Sequence, residues 1–375
     1  MSRGQAHLAG FEPLLDILRC PQTGSPLILT SRMELEAAAA GVPSQSVPAA
    51  AVGALVSPGS SRAYPILGQV ISFLEDDVLR LSAAVEGPGR EQTAEAAIKR
   101  DVKRWYDEFG WKRTQNGQYG DTALFSQLGN SAHGFYEMAS HLSILHRFMG
   151  GEFLLDAASG AIPHPEYLAY GWFYRYRVCV DFSLTALQQA AATLGDRGFY
   201  CMADICRLPF RDGVFDGVVS GYTIQHVPAS SQAQALAELY RVLGPGQVCC
   251  ILTDARPARL RPAVARLARM TRRRVRPRVE TSRTPSTGSS APPPSRLYGH
   301  APTARWWRRQ LSTLGCRYSV KALRILAKDE FESCFGNSLG AARRLRVLET
   351  TLPRALASYS RYLLVEMSKR EGSRR

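Results

Sequence analysis

The chain has 375 residues, of which 45% are hydrophobic and 21% are charged, as is ordinary for a folded globular protein. This length leaves room for an α/β domain of about 200 to 250 residues together with one or two smaller units. The sequence has neither an apolar run of about 18 residues nor a charged-then-apolar leader, so we expect a cytoplasmic protein without a membrane span.

The net charge is +15, because 47 Lys and Arg residues outnumber 32 Asp and Glu residues. Such a surplus attracts nucleic acid, an anionic membrane surface or acidic substrates, although a generally arginine-rich proteome explains it as well. The eight cysteines form no Cys-x-x-Cys pair. They are therefore expected to be reduced thiols, and no metal is expected.

The first segment, residues 1–77, is predicted to be a small β module. Its motifs at residues 14–21 and 62–66 resemble the zinc-ribbon domain known as an activator of tRNA and protein methyltransferases. The metal-binding form of that domain holds zinc with two Cys-x-x-Cys pairs, and the matching positions here are Cys20, Thr23, Ser57 and Ser60. Hydroxyls are poor zinc ligands, so no zinc is expected. Substrate docking, partner contact and a folded relic all remain open as its role.

Residues 78–150 are predicted to be mainly helical, since apolar residues recur at helical spacing through residues 94–109 and 140–149. Aromatic residues at that spacing, such as Trp105 and Phe109, are more often part of a core than of a binding site. Tyr119 differs because it lies in a loop that contains Gly and Asn. It is therefore a candidate site residue.

Two apolar runs that end in an acid follow. Residues 153–155 lead to Asp156 and then to small residues, which let a ligand approach the backbone. Residues 178–180 lead to Asp181, and an acid at the end of a second strand commonly binds the two ribose hydroxyls of a nucleoside cofactor. Ser183 is predicted to cap a helix over residues 183–194. Further strands are predicted at residues 198–202, 217–220 and 248–253.

This pattern resembles the class I S-adenosylmethionine-dependent methyltransferases, and further matches follow in family order at residues 203–205, 216–222 and 238–246. The resemblance implies an α/β fold with a Rossmann-like, doubly wound, mostly parallel sheet whose last strand is antiparallel, built from residues 151–255 and 297–370. Helices of residues 78–150 would form a lid. S-adenosylmethionine would be the cofactor.

The loop after Asp156 departs from the family pattern, because only Gly160 remains of its several glycines. A dinucleotide pyrophosphate needs that glycine-rich approach, whereas S-adenosylmethionine carries no phosphate. The loop therefore argues against a nicotinamide or flavin enzyme.

The resemblance also implies roles for residues at the strand ends. The methionine side of the cofactor would contact Asp156, Ala158, Ser159 and Gly160, and the ribose would contact Asp181. The adenine would lie among Phe182, Asp204 and Ile205, and the end of the fourth strand adds Ser220 and Gly221.

Three residues are candidates for catalysis. His226 follows the fourth strand and is either a general base or a structural cap of the helix that begins near Ser230. His164 lies between Pro163 and Pro165, which fix the backbone, and Glu166 follows directly. His164 and Glu166 either orient the substrate, hold the methionine end of the cofactor or pack. Tyr119 is the third candidate.

An insert at residues 256–296 begins as a basic amphipathic helix and continues as a Pro/Ser-rich, low-complexity stretch. A lid helix, a contact with anionic lipid and a contact with phosphate or RNA are all open for it. The absence of aromatic residues from residues 256–278 gives base stacking no support. The chain then returns with a helix at residues 302–314, strands at 317–326 and 360–367, and Tyr298 and His300 as residues that could face the pocket.

These observations predict transfer of a methyl group to an oxygen, nitrogen or carbon atom of a small, natural-product or lipid-like acceptor. The alternatives are methylation of tRNA, favoured by the ribbon-like module and the charge, and a non-catalytic scaffold whose loop no longer holds a cofactor.

Overall fold

The computed structural model describes residues 10–40, 46–82, 93–125, 131–257 and 297–370. The basic amphipathic helix and the low-complexity stretch predicted for the insert fall almost entirely outside these residues. Among the helices that the structure describes, none combines the length and apolar character needed to cross a lipid bilayer.

A sheet of twelve strands runs through the described residues. Its second half is the predicted methyltransferase-like sheet, with the spatial order β8-β7-β6-β9-β10-β12-β11. These strands are β6 (Gly151–Ala157), β7 (Tyr174–Asp181), β8 (Gly198–Met202), β9 (Gly217–Gly221), β10 (Val248–Asp254), β11 (Arg317–Arg324) and β12 (Tyr362–Ser368). Only β12 runs antiparallel to its neighbours in this half, which confirms the predicted α/β class with an antiparallel last strand.

The order of these strands explains where a ligand can bind. From β6 the chain proceeds outward to β7 and β8, and then returns to β9 on the other side of β6. Ligands of doubly wound sheets bind at the carboxyl ends of the strands beside such a reversal. Both faces of the central strands are buried, with Leu155 and Val218 in one apolar cluster and Leu154 and Val219 in another.

The N-terminal module is joined to this sheet. It contains β1 (Ile28–Ser31), β2 (Ala51–Ser57), β3 (Arg62–Leu67), β4 (Val70–Ser72) and β5 (Leu79–Arg80), with helices α1 (Glu12–Leu15) and α2 (Arg32–Ala39). Strand β4 pairs in parallel with β8, and the backbone N–H of Phe73 donates to the Met202 carbonyl at 2.7 Å. The module therefore extends the edge of the core sheet rather than forming a detached ribbon.

The residues at the four positions that match the zinc ligands of the ribbon domain lie close together, around the thiol of Cys20. Cys20 is buried, with its Sγ 3.1 Å from the hydroxyl of Tyr64 and 3.9 Å from that of Ser60. Burial opposes ionisation of this thiol, but hydrogen bonds from Thr23, Tyr64 and Ser57 lower the pKa of Cys20 to about 6. The hydroxyls that replace three cysteines thus surround the remaining one.

The helices cover both faces and the carboxyl edge of the sheet. They are α3 (Ala94–Trp105), continued by a π-helical turn (Tyr106–Gly110), α4 (Gly120–Phe125), α5 (Ala132–Leu142), α6 (Leu184–Leu194), α7 (Gln232–Val242), α8 (Ala304–Thr313), α9 (Lys328–Phe335), α10 (Leu339–Thr351) and α11 (Pro353–Leu356). Short 3-10 segments lie between them, among them Pro165–Gly171 and Ile224–His226. Ser183 caps α6 as predicted, because its Oγ accepts from the backbone N–H of Ala186 at 3.1 Å.

Candidate functional site

A cavity of about 230 Å³ lies at the carboxyl ends of strands β6 to β10. Most of the residues predicted for the site line this cavity, namely Asp156, Ala158, Ser159, His164, Asp181, Phe182, Asp204, Ile205, Gly221 and His226. The lining therefore joins residues that are distant in the chain but adjacent at the edge of the sheet.

Asp181 organises the loop between β6 and the helix that follows β7. Its Oδ2 accepts the backbone N–H of Gly160 at 2.9 Å, and its Oδ1 accepts that of Ser183 at 2.9 Å. Burial raises the pKa of Asp181 to about 6, although these hydrogen bonds favour the charged form. A carboxylate oxygen can accept two hydrogen bonds, so each oxygen of Asp181 retains acceptor capacity.

Asp156 is engaged by a cation that the sequence analysis did not identify. The Nε of Arg177 donates to Asp156 Oδ2 at 3.0 Å and Nη2 donates to the same oxygen, while Nη1 donates to the carbonyl of Tyr167 at 2.7 Å. The Arg177 side chain is 3% exposed and lines the cavity. The two opposite charges compensate each other, so the ion pair as a whole adds no net charge to the cavity wall.

Asp204 connects the sheet to the lid. Its Oδ2 accepts from Lys99 Nζ of α3 at 2.5 Å, and its Oδ1 accepts the backbone N–H of Cys206 at 2.8 Å. Lys99 lines the cavity beside Asp204, so the lid contributes a charge to the part of the site predicted to hold adenine.

Further contacts hold the lid over the loop. The hydroxyl of Ser183 donates to Asp107 of the π-helical turn, and the hydroxyl of Ser231 donates to Glu95 at 3.0 Å. The ring of Trp111 rests on Gly160 so closely that a Cβ on that glycine would lie 2.4 Å from the ring. The predicted lid is thus packed directly on the small-residue loop.

His226 has a defined tautomer. Its Nδ1 lies 2.7 Å from the carbonyl oxygen of Tyr298. A carbonyl only accepts, so Nδ1 carries the proton and Nε2 keeps its lone pair. Burial lowers the pKa of His226 below its ordinary value, which favours the neutral form that can accept a proton.

A buried polar cluster forms the end of the cavity between α5 and β11. His141 Nδ1 is 2.8 Å from Glu166 Oε1, and His141 Nε2 is 2.9 Å from the hydroxyl of Tyr222. Arg324 donates to the same Tyr222 hydroxyl at 3.1 Å and pairs with Glu137 at 3.0 Å.

His164 completes this cluster, with its Nδ1 3.7 Å from Glu166 Oε1. Burial lowers the pKa of His164 to about 4 and also lowers that of His141. Both imidazoles are therefore neutral near pH 7.

Several polar atoms of the lining have no hydrogen-bond partner within the part of the chain that the structure describes. They are Trp111 Nε1, His164 Nδ1, Tyr167 Oη and Arg324 Nε. Buried polar groups are normally paired, so these atoms indicate a polar ligand.

Tyr119, which the sequence predicts as a catalytic candidate, is not among the residues that line the cavity. Its hydroxyl accepts from Arg113 at 3.1 Å and donates to Gln189 at 3.4 Å, and its ring packs edge-on against Trp111. Tyr119 therefore supports Trp111 rather than facing a substrate.

Four other residues predicted for the site also do not line the cavity. Gly160 and Ser220 are not among the lining residues. Tyr298 contributes its carbonyl to His226, and the backbone N–H of His300 donates to the Gln225 carbonyl at 2.7 Å. The returning chain thus fixes the loop after β9.

The lining includes residues that sequence reasoning missed as site residues, chiefly Tyr106, Asp121, Asp254, Tyr222, Arg324 and Tyr362. Asp254 ends β10 and could have been found by the rule that identified Asp156 and Asp181. Burial raises the pKa of Asp121 to about 7, and the nearby Asp254 carboxylate adds to the effect. Tyr222 ends the motif at residues 216–222 and directly follows Gly221, whereas no local pattern marks Arg324, which reaches the cavity through tertiary packing.

Residues 155–251 match the family profile described as a methyltransferase domain. The chain is 38% identical over 80 residues to the ubiquinone/menaquinone biosynthesis C-methyltransferase UbiE of Desulfotalea psychrophila, a match covering 21% of this chain and 32% of that protein. It is 32% identical over 108 residues to the demethylmenaquinone methyltransferase of Roseiflexus castenholzii, covering 28% and 40%. The matched segments therefore span only 32% and 40% of the length of these curated relatives.

Among solved structures, the chain is similar to phosphoethanolamine N-methyltransferase 2 of Haemonchus contortus, crystallised with phosphomonomethylethanolamine and S-adenosylhomocysteine. The identity is 16%, the TM-score is 0.43, and the likeness covers 72% of this chain and 60% of that one. By the profile match, residues 155–251 form a methyltransferase domain of class I, the family whose methyl donor is S-adenosylmethionine.

Proposed function

We propose that the protein transfers a methyl group from S-adenosylmethionine to a small acceptor with a hydroxylated aromatic ring. The observation that carries the proposal is the position of Asp156, Asp181 and Asp204 around one cavity at the carboxyl ends of β6, β7 and β8, within the matched domain. An acid at the end of the second strand is suited to a vicinal diol.

The residues of the cavity fit this cofactor. Asp181 would bind the ribose through its remaining lone pairs, and Asp204 would accept from the adenine amino group with Phe182 and Ile205 beside the ring. The Asp156–Arg177 pair offers charges of both signs to the amino and carboxylate groups of the methionine part. When bound, S-adenosylmethionine supplies a methyl group made electrophilic by its positive sulfonium.

The acceptor would occupy the opposite end of the cavity. Aromatic side chains are frequent in its lining there, namely Tyr167, Tyr170, Tyr222 and Tyr362. Such walls favour a flat ring, and Tyr167 Oη and Arg324 Nε offer polar contacts. The relatives named for ubiquinone and menaquinone biosynthesis agree with an acceptor of this chemical class.

His226 would take the proton that the acceptor loses. Its Nε2 keeps a lone pair because Nδ1 is held by the Tyr298 carbonyl, and it lines the same cavity. Loss of a phenolic proton makes both the oxygen and the ring carbons beside it nucleophilic. The remaining contribution of the protein is alignment under a closed lid.

The test combines cofactor binding with transfer of label. Calorimetry should detect S-adenosylmethionine binding by the wild type, and Asp181→Ala should weaken it by at least about tenfold, or 1.4 kcal/mol. His226→Asn should bind the cofactor normally but fail to methylate. Methyl-labelled cofactor, incubated with fractionated cell extract, should label small aromatic metabolites.

Two outcomes would overturn the proposal. Label found in tRNA instead of small molecules would identify an RNA methyltransferase. A wild-type protein that gives no binding heat at high micromolar cofactor would be a scaffold.

A further inference from the structure

Three potential metal ligands meet next to the cavity, and one of them, His164, lines it. His141 comes from α5, whereas His164 and Glu166 come from the loop between β6 and β7. Their ligand atoms all lie within 4.8 Å of one another, and Glu166 Oε1 is 2.8 Å from His141 Nδ1 and 3.7 Å from His164 Nδ1. Ligand atoms held at about 2.0 to 2.2 Å from one ion are at most about 4.4 Å apart, so both Glu166 distances lie in the range that a single ion allows.

The charge balance of the cluster is incomplete. Arg324 pairs with Glu137, and the side-chain contacts of Glu166 among the described residues are with two imidazoles. The Glu166 side chain is 7% exposed and that of His141 is 0% exposed. A carboxylate that is buried this deeply favours a cation beside it. In addition, Nδ1 of His164 has no hydrogen-bond partner within the described residues although it is buried.

We propose that His141, His164 and Glu166 bind a divalent transition metal of the zinc type. Two imidazole nitrogens and one carboxylate oxygen form a donor set that suits zinc and leaves a fourth position open. The metal would replace the proton that His141 and Glu166 share. This site would lie beside the acceptor, because His164 also lines the cavity.

The surroundings of the cluster support this assignment. A histidine that binds a metal usually donates its other N–H to an outer partner, and His141 Nε2 has such a partner in the Tyr222 hydroxyl at 2.9 Å. Arg324 in turn holds that hydroxyl. The ring of Tyr167 packs against both imidazoles, with centroids 5.0 Å from His141 and 4.8 Å from His164. Both rings are thus fixed in place without the metal.

The sequence gives no spacing signal for this site, which is why no metal was expected. His141 is separated from the other two ligands by the whole of β6, and the fold alone brings them together. Neither methyl transfer nor cofactor binding is needed to test the assignment, so its failure would leave the proposed function standing.

The experiment titrates chelator-treated, full-length protein with Zn²⁺ by calorimetry and with Co²⁺ by optical spectroscopy. The expected result is one site per chain with the d–d bands of a nitrogen and oxygen ligand set and no thiolate charge-transfer band. Glu166→Gln and His164→Asn should each weaken binding by at least about tenfold, as loss of a ligand requires. His146→Asn, which alters an exposed histidine near the end of α5, should leave binding unchanged.

Cys20→Ser is the second control, because a metal held at the former ribbon site would be lost in that variant. The proposal is overturned if the wild type binds neither metal, or if Cys20→Ser rather than Glu166→Gln abolishes binding. Far-UV circular dichroism of the variants establishes that they are folded.

Discussion

Backbone strain at single residues surrounds the cavity. Ala158, Ile162 and Tyr222 have φ values of +61°, +53° and +52°, in the left-handed region that side chains disfavour. Such strain gathers at functional sites because the surrounding structure has to hold it. In the class I methyltransferases that this sequence resembles, the loop carries a glycine at the position of Ala158. This chain therefore keeps the left-handed backbone conformation there without the glycine that adopts it at little cost.

Replacing Ala158 with glycine should therefore stabilise the protein. An L-residue in the left-handed region costs about 1 to 2 kcal/mol, and we expect Ala158→Gly to raise the free energy of unfolding by about 1 kcal/mol. Urea unfolding measures the change. Ala157→Gly, one residue earlier in β6, should have the opposite sign because it weakens a buried strand. A loss of stability in Ala158→Gly would show that the methyl group makes packing contacts worth more than the strain.

The pH dependence of methyl transfer should report His226. Since its pKa is lowered by burial, the neutral base persists below pH 6.5, and kcat should stay level down to that pH and fall only in more acidic solution. His226→Asn should reduce kcat by about 100-fold or more and remove this limb of the profile. An unchanged profile in the variant would assign the proton transfer elsewhere.

At the scale of elements, the lid depends on contact between Trp111 and Gly160. Gly160→Ala should push the lid away, because the new Cβ would lie 2.4 Å from the Trp111 ring. Hydrogen exchange of the amides of α3 should then become faster, and S-adenosylmethionine should bind more weakly.

Gly195 provides the matched control for this substitution. It has nearly the same φ, +57° against +54° for Gly160, but a Cβ there would meet no atom within 4 Å. Gly195→Ala therefore carries the backbone strain without the clash, and α3 should exchange as in the wild type. Equal exchange in both variants would mean that strain, not Trp111, controls the lid.

Local patterns predicted the elements that local interactions determine. An apolar run followed by an acid marked the ends of β6 and β7, and Ser183 marked the start of α6. Both signals are visible in the sequence because strand burial and helix capping depend on residues that are close together in the chain. Arg177 was missed since its partner Asp156 lies on another strand. The pairing of β4 with β8 was missed for the same reason, because backbone hydrogen bonds leave little trace in the side chains of either strand.

At the scale of the molecule, the N-terminal module changes which strand is the edge of the sheet. Without it, β8 would expose unpaired backbone groups beside the predicted adenine site, and such edges invite association with other chains. The module therefore has a structural role whether or not it also binds a partner. That role needs no zinc, which agrees with hydroxyls standing at three of the four ribbon positions.

The cavity differs in charge from the chain as a whole. The chain carries +15 overall, yet Asp121, Asp181 and Asp254 gather at the cavity and burial raises the pKa of each. A positively charged ligand would relieve this arrangement, as the sulfonium of the proposed cofactor would. Without ligand, the same carboxylates make the folded state sensitive to pH.

Asp121 gives the clearest test, since its folded pKa of about 7 lies far above the ordinary value of about 3.9. Because the pKa is raised on folding, the folded state binds this proton more tightly than the unfolded state does. The stability that the protonated carboxyl contributes is therefore present below about pH 4 and is lost as pH rises toward 7. Asn cannot ionise, and Asp121→Asn should therefore escape that loss. Relative to the wild type it should gain about 3 to 4 kcal/mol between pH 4 and pH 7.5, since each pKa unit of difference corresponds to about 1.4 kcal/mol.

Urea unfolding at several pH values measures this difference, with Asp101→Asn as the control. Asp101 is exposed and paired with Arg104 on the surface of α3, so its replacement should shift stability little and equally at each pH. If the gain of Asp121→Asn were constant with pH, the carboxyl would be ionised in the folded state throughout. Asp121 would then be less buried than the packing of α4 implies. Neutralisation of its carboxylate by the cofactor's positive charge would then contribute nothing to cofactor binding.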